Sequence, residues 1–130
     1  MSVASQTCVG PGHPLYARAK RGRVVPVEEV TLHPFASPSQ AFLGRVGLQQ
    51  SLDGWRDDRF PRRIECVTSS LQLLARQVMS GRLLAYLPDY FVRRIGALPL
   101  EISGCPYSCQ QRVKLIARAP ETRGWMKALF

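Results

Sequence analysis

No apolar run in the sequence approaches the ~20 residues that a membrane-spanning helix needs, so a membrane protein is not expected. The opening residues MSVASQTCVGPG have neither the basic start nor the apolar stretch of a secretion signal, and a cytoplasmic location is expected. Acidic residues are scarce: nine Asp and Glu stand against 18 Lys and Arg, giving a net charge of +9. A basic balance raises nucleic acid as a partner. Yet the clusters are separated, one at Arg18, Lys20, Arg21 and Arg23 and another at Arg56, Arg59, Arg62 and Arg63, the latter offset by Asp57 and Asp58. There is no helix-turn-helix pattern, no zinc-finger spacing and no basic strand interleaved with aromatics. Cysteine is limited to Cys8, Cys66, Cys105 and Cys109. The pair in C-P-Y-S-C is neither the C-x-x-C redox spacing nor half of a usual zinc site. His13 and His33 carry no ligand spacing, so no metal or cofactor is expected. Asp53, Asp57, Asp58 and Asp89 lie beside arginines or in turns. No Ser-His-Asp, Cys-His or glycine-rich phosphate arrangement can be assembled, and an enzyme is not expected.

What is present is a chain of 130 residues, 45% hydrophobic, which fits one globular domain. Ten Gly and ten Pro break it into short elements. GPGHPL at 10–15 reads as a turn after a short strand, and 16–23 as a polar basic loop. A helical turn is expected within 24–30 and an apolar strand near Leu32 to Phe35. Ser37-Pro38-Ser39-Gln40 carries the residue types of a helix start, so a helix is expected over 38–50, ending before Asp53-Gly54. Trp55 is expected to pack inward. IECVT at 64–68 alternates as a strand does. Ser69 with Gln72 reads as a second capping box, and Leu71, Leu74, Ala75 and Val78 follow at helical spacing, giving a helix over 69–80. Further strands are expected at 83–87, 98–102 and 112–118, with helices at 89–94 and 121–130. Alternating strands and helices with short connections predict an α/β fold with an open, mixed or mostly parallel sheet and flanking helices. In such sheets ligands bind beyond the carboxyl ends of the strands.

The segment VMSGRLLAYLPDYFV at 78–92 resembles a signature of LysR-type effector domains: Val, two residues, Gly, any residue, Gly, aliphatic, Ala, any residue, aliphatic, Pro. Val78, Gly81, Leu84, Ala85, Leu87 and Pro88 match it. Leu83 stands where the family has its second Gly, a departure that bears on the backbone there because Gly tolerates positive φ and Leu does not. GPGHPL resembles the family's turn leading into its HPL motif. LHPFASPS at 32–39 resembles its first cleft loop, and FPRRIECVTSS at 60–70 the strand and helix start on the cleft wall. CQQRVKLIARAPETRGWMKALF at 109–130 resembles the return strand and last helix. The likeness runs from about residue 8 to the C-terminus.

This resemblance implies a type 2 periplasmic-binding-protein-like fold, in which two lobes enclose a cleft. The chain would supply the second lobe, about 8–108, and the strand and helix, about 109–130, that return to a largely absent first lobe. It implies a cytoplasmic ligand-sensing domain of a DNA-binding regulator, with DNA contacted only through a helix-turn-helix outside this chain. Ser37 and Ser39, and Thr68, Ser69 and Ser70, supply hydroxyls at two expected helix starts, where free N–H groups and the helix dipole favour an anion. Each would also serve as an ordinary cap. By family position Leu83, Leu84 and Pro88 would close the cleft wall, although core packing is the commoner role for such residues. A small, anionic metabolite is the expected ligand. The other readings are a stand-alone solute-binding protein of the same fold and a basic nucleic-acid-binding protein. Trp125, Met126, Leu129 and Phe130 crowd apolar surface into the C-terminus. Self-association, at its simplest a two-fold dimer through 112–130, is therefore expected.

Overall fold

A computed structural model describes residues 1–42, 51–114 and 116. The chain opens with strand β1 (Ser2–Val9) and helix α1 (Tyr16–Lys20). A short strand β2 (Val25–Pro26) leads into the single turn α2 (Val27–Val30). Strands β3 (Phe35–Pro38) and β4 (Ile64–Thr68) precede helix α3 (Leu71–Met79). Strand β5 (Leu84–Pro88) runs into helix α4 (Asp89–Ile95), followed by β6 (Leu98–Pro99), β7 (Ile102–Ser103) and β8 (Gln110–Arg112).

The main sheet has the order β4-β3-β5-β1-β6, with β8 also paired to β1. β3 is parallel to both β4 and β5, whereas β1 is antiparallel to β5, β6 and β8. The sheet is thus mixed and mostly parallel, with β1 the reversed strand, and the fold is α/β as the alternation of elements implies. Burial follows position. β5, in the middle, is buried at every residue, while edge strand β4 alternates between half-buried and exposed. A run of apolar residues suits a strand covered on both faces, and alternation suits one covered on a single face.

Two layers flank the sheet. On one face Leu74 and Val78 of α3 and Val92 of α4 pack on Cys8, Ala36, Ala85 and Leu87. On the other, Val9, Phe35 and Leu84 meet Leu15, Val25, Val30 and Leu100. A third cluster joins Val27, Trp55, Tyr86 and Cys109, so Trp55 does pack inward, at 4% exposure. Each large apolar side chain buried this way contributes roughly 1.5–3 kcal/mol. The GPGHPL turn docks against the end of α3: a Cβ at Gly10 would collide with the Val78 carbonyl, and one at Gly81 (φ +76°) with the Pro11 carbonyl. Leu83 needs no such freedom, since among the described residues only glycines take positive φ.

Several boundaries differ from those the sequence suggests. Ser37 and Pro38 do not start a helix; they finish β3, where Ser37 pairs with Val67 and Pro38 with Thr68. Pairing of β3 with β5 ends at Ala36, so at Pro38 the strand has a single neighbour and tolerates proline as an edge does, and the next amide, Ser39 N–H, donates to the Thr68 carbonyl at 3.0 Å. The remainder of the helix expected over 38–50 falls largely on residues 43–50, outside the described residues. Leu32 is 74% exposed in a turn, and the strand expected there begins only at Phe35. The basic stretch 16–23 is not merely a loop. Leu15, Tyr16 and Ala19 line up on one side of α1 and pack into the core, which offsets the cost of ordering a five-residue helix. The strand expected at 98–102 is split into β6 and β7. The last described strand is Gln110–Arg112; of the strand expected at 112–118 it includes only Arg112, while residues 115, 117 and 118, like the terminal helix expected at 121–130, lie outside the described residues.

Candidate functional site

Because β3, β4 and β5 are parallel, their carboxyl ends share one end of the sheet, and this is where polar side chains gather. β3 ends in Ser37-Pro38 and is followed by Ser39, while β4 ends in Thr68 and is followed by Ser69 and Ser70. The pairing of Pro38 with Thr68 and the bond from Ser39 N–H to Thr68 O bring the two hydroxyl-bearing segments side by side. Pro88 closes β5 at the same end and is buried. Leu83 lies elsewhere. It precedes β5 at the opposite end of that strand and packs, 5% exposed, in the cluster beneath α3 and α4.

The turn between β4 and α3 shows why the helix starts one residue later than its capping pattern suggests. Thr68 Oγ1 accepts from the Ser70 amide at 3.0 Å, which folds the chain back after the strand. Ser70 then becomes the N-cap, its Oγ accepting from Leu73 N–H at 3.2 Å. Ser69 is left exposed in the turn, its side chain making no hydrogen bond among the described residues. An α-helix leaves its first amides without partners inside the helix. The cap takes up Leu73 N–H, which leaves those of Leu71 and Gln72 at the head of α3. With the exposed hydroxyls of Ser39, Ser69 and Ser70 they form a set of donors, assisted by the positive end of the helix dipole. Ser37 is half-buried, and its Oγ donates to the Pro38 carbonyl at 3.4 Å. Such a surface can bind an anion; it holds no nucleophile beside a base.

The carboxylates considered for acid–base work are engaged differently. Arg62, its side chain 1% exposed, forms an ion pair with Asp53 at 2.8 Å and another with Asp57 at 2.9 Å. Its guanidinium lies 5.0 Å from the Phe35 ring and 5.2 Å from the Trp55 ring. Asp53 also accepts from the Trp55 amide. Burial works against the charge on Asp57, but bonds from Arg62 and Ser51 prevail and hold its carboxyl below the usual range. Asp58 is bound to Arg56 by two contacts of 2.8 Å. The sequence sets these carboxylates near arginines, but which of them Arg62 joins is decided by the fold of 51–62. The cysteines are all free thiols, and burial pushes the Cys8 thiol up to about 12. No cluster of His, Cys, Asp or Glu among the described residues could hold a metal.

Residues 3–123 match the family model described as the LysR substrate binding domain. The chain belongs to this family. No match to a curated protein was found. The LysR substrate binding domain is a type 2 periplasmic-binding-protein-like, ligand-binding unit of transcription regulators, not a catalytic family. The mixed sheet with its reversed strand β1 and its flanking helices has that architecture. Among the described residues no helix is long and apolar enough to cross a membrane.

Proposed function

We propose that this LysR domain is the ligand sensor of a cytoplasmic, DNA-binding regulator, and that its effector is a small anionic metabolite. The ligand would sit in a cleft between the lobe formed by about 8–108 and a first lobe, to which about 109–130 returns. Ser37, Ser39, Thr68, Ser69 and Ser70 would face it, with Pro88 on the cleft wall; Leu83 would support the wall only through the core. The observation that carries this reading is the convergence of two hydroxyl-rich segments on the head of α3, at the carboxyl end of a mostly parallel sheet. Binding would draw the lobes together and shift the packing of an oligomer. DNA would be contacted by a helix-turn-helix elsewhere in the regulator, and the domain's role is binding, not catalysis.

Soaking crystals with sulfate or small carboxylates tests the placement. Density at the head of α3 is expected; density confined to arginine side chains would contradict it. A basic nucleic-acid-binding protein is the other class to weigh. Against it, Arg18, Arg56, Arg59 and Arg63 each have a carboxylate within 4 Å, which breaks up the positive surface, and Arg62 is buried. Tight DNA binding by the 130-residue chain, steeply weakened by salt, would favour that class. Self-association through 112–130 is part of the proposal. Light scattering should find a dimer for the whole chain and a monomer for a form ending at Gln111.

A further inference from the structure

A second pocket, of about 310 Å³, lies away from the serine cluster, between β1 and the segment that carries β6 and β7. Its walls include Trp55, Tyr86, Leu100 and Ile102. Trp55 and Tyr86 meet edge to face, their ring centroids 5.3 Å apart. Thr7 also lines the pocket; it is only 2% exposed, and its Oγ1 has no hydrogen-bond partner. Buried hydroxyls are nearly always satisfied, so an orphan beside a pocket calls for an explanation. Across the strand pair Tyr86 sits opposite Thr7, and its Oη accepts from the Cys109 amide at 3.0 Å, which leaves the phenolic proton to donate.

We infer that this pocket is a binding site for an uncharged, one-ring aromatic compound bearing a hydroxyl. The aromatic and aliphatic walls suit a ring. The Thr7 hydroxyl, unpartnered in the wall, and the phenolic proton of Tyr86 suit a polar substituent on that ring. The exposed carboxylate Glu101 at the rim disfavours anions. Small-molecule sites span roughly 300–1,000 Å³, and this pocket, at the bottom of that range, has room for a one-ring compound. The site stands independently of the proposed cleft, whose ligand is anionic rather than uncharged.

Phenol, neutral at pH 7, is the probe, followed by NMR on the 130-residue chain. Saturable shifts are expected at the Trp55 indole and at Thr7 and Leu100, with no change at Ser69 and Ser70. Thr7→Val removes the hydroxyl at nearly constant shape and should weaken phenol about five- to tenfold, while toluene binds the variant as well as it binds the parent. Ser108→Trp, at an exposed position on the pocket lining, should block both probes without disturbing the core. Benzoate should bind at least about tenfold more weakly than phenol, and Glu101→Gln should narrow that gap. The inference is overturned if phenol shifts nothing here or shifts only the serine cluster. It is equally overturned if Thr7→Val leaves phenol unaffected, if Ser108→Trp still admits it, or if Glu101→Gln leaves the gap unchanged.

Discussion

Two loops of this domain are rich in polar side chains, and they use them in opposite ways. In the 51–62 loop the central polar pair, Asp53 and Arg62, is buried and fully engaged. Asp53 and Arg62 have side-chain exposures of 0% and 1%, and Arg62 bonds two carboxylates while lying against two aromatic rings. At 68–70 the groups are exposed or half-buried, and each hydrogen bond within the turn is local. A buried ion pair holds its loop in one arrangement because any other would strand a charge in the core. An exposed turn with amides and hydroxyls to spare can exchange water for a ligand at little cost. Polarity alone therefore does not mark a candidate site; what sets the 68–70 turn apart is that its donors are left free at the surface.

The largest effect that sharpens this contrast comes from Arg62→Met. It leaves Asp53 charged and buried, and should lower stability by about 3–5 kcal/mol in chemical denaturation. Pairing it with Asp53→Asn should recover part of the loss. Equal losses in the single and double variants would show that the ion pair is not what holds the loop.

A second prediction concerns acid. Burial, reinforced by the neighbouring His33, lowers the His13 pKa to about 4, and His13 Nδ1 accepts from the Leu15 amide. The folded state therefore takes up this proton later than the unfolded chain does. Its stabilising contribution is complete above about pH 6.5, the ordinary histidine value, and is lost as pH falls toward 4, to a total on the order of 2–3 kcal/mol. His13→Asn keeps an acceptor without the titration, so its stability profile should be flatter over that window. A profile as steep as the parent's would locate the acid sensitivity elsewhere.

The smallest effects belong to the serine turn. Ser70→Ala should cost about 1 kcal/mol through loss of the α3 cap. Ser69→Ala should leave thermal stability within about 0.5 kcal/mol of the parent, as befits an exposed surface residue. A large loss in Ser69→Ala would erase the contrast between the two loops.

These regions were not equally legible in the sequence. α3 and β5 were, because Leu74 and Val78 at helical spacing and the apolar run from Leu84 to Leu87 report burial directly. The start of α3 was off by one residue, because Thr68, Ser69 and Ser70 are all competent caps and only the turn made by Thr68 selects among them. Ser37-Pro38 misled because the same residue types suit a helix start and a strand end, and pairing with β4 decides between them. The serine cluster could be suspected from hydroxyls before two elements, but its assembly depends on a parallel register that no local pattern encodes. The mix of Asp and Arg at 53–63 hinted at ion pairing but not at the buried Asp53–Arg62–Asp57 arrangement, and the Thr7 pocket left no sequence signal, since it joins groups through tertiary packing.

Amide chemical shifts measured during a titration with a small carboxylate such as acetate report whether the head of α3 receives an anion. Saturable shifts are expected at Ser39, Ser69, Leu71 and Gln72, weakened in Ser69→Ala, while the fold of the variant is unchanged. Shifts confined to arginine side chains, or identical titrations for parent and variant, would contradict it.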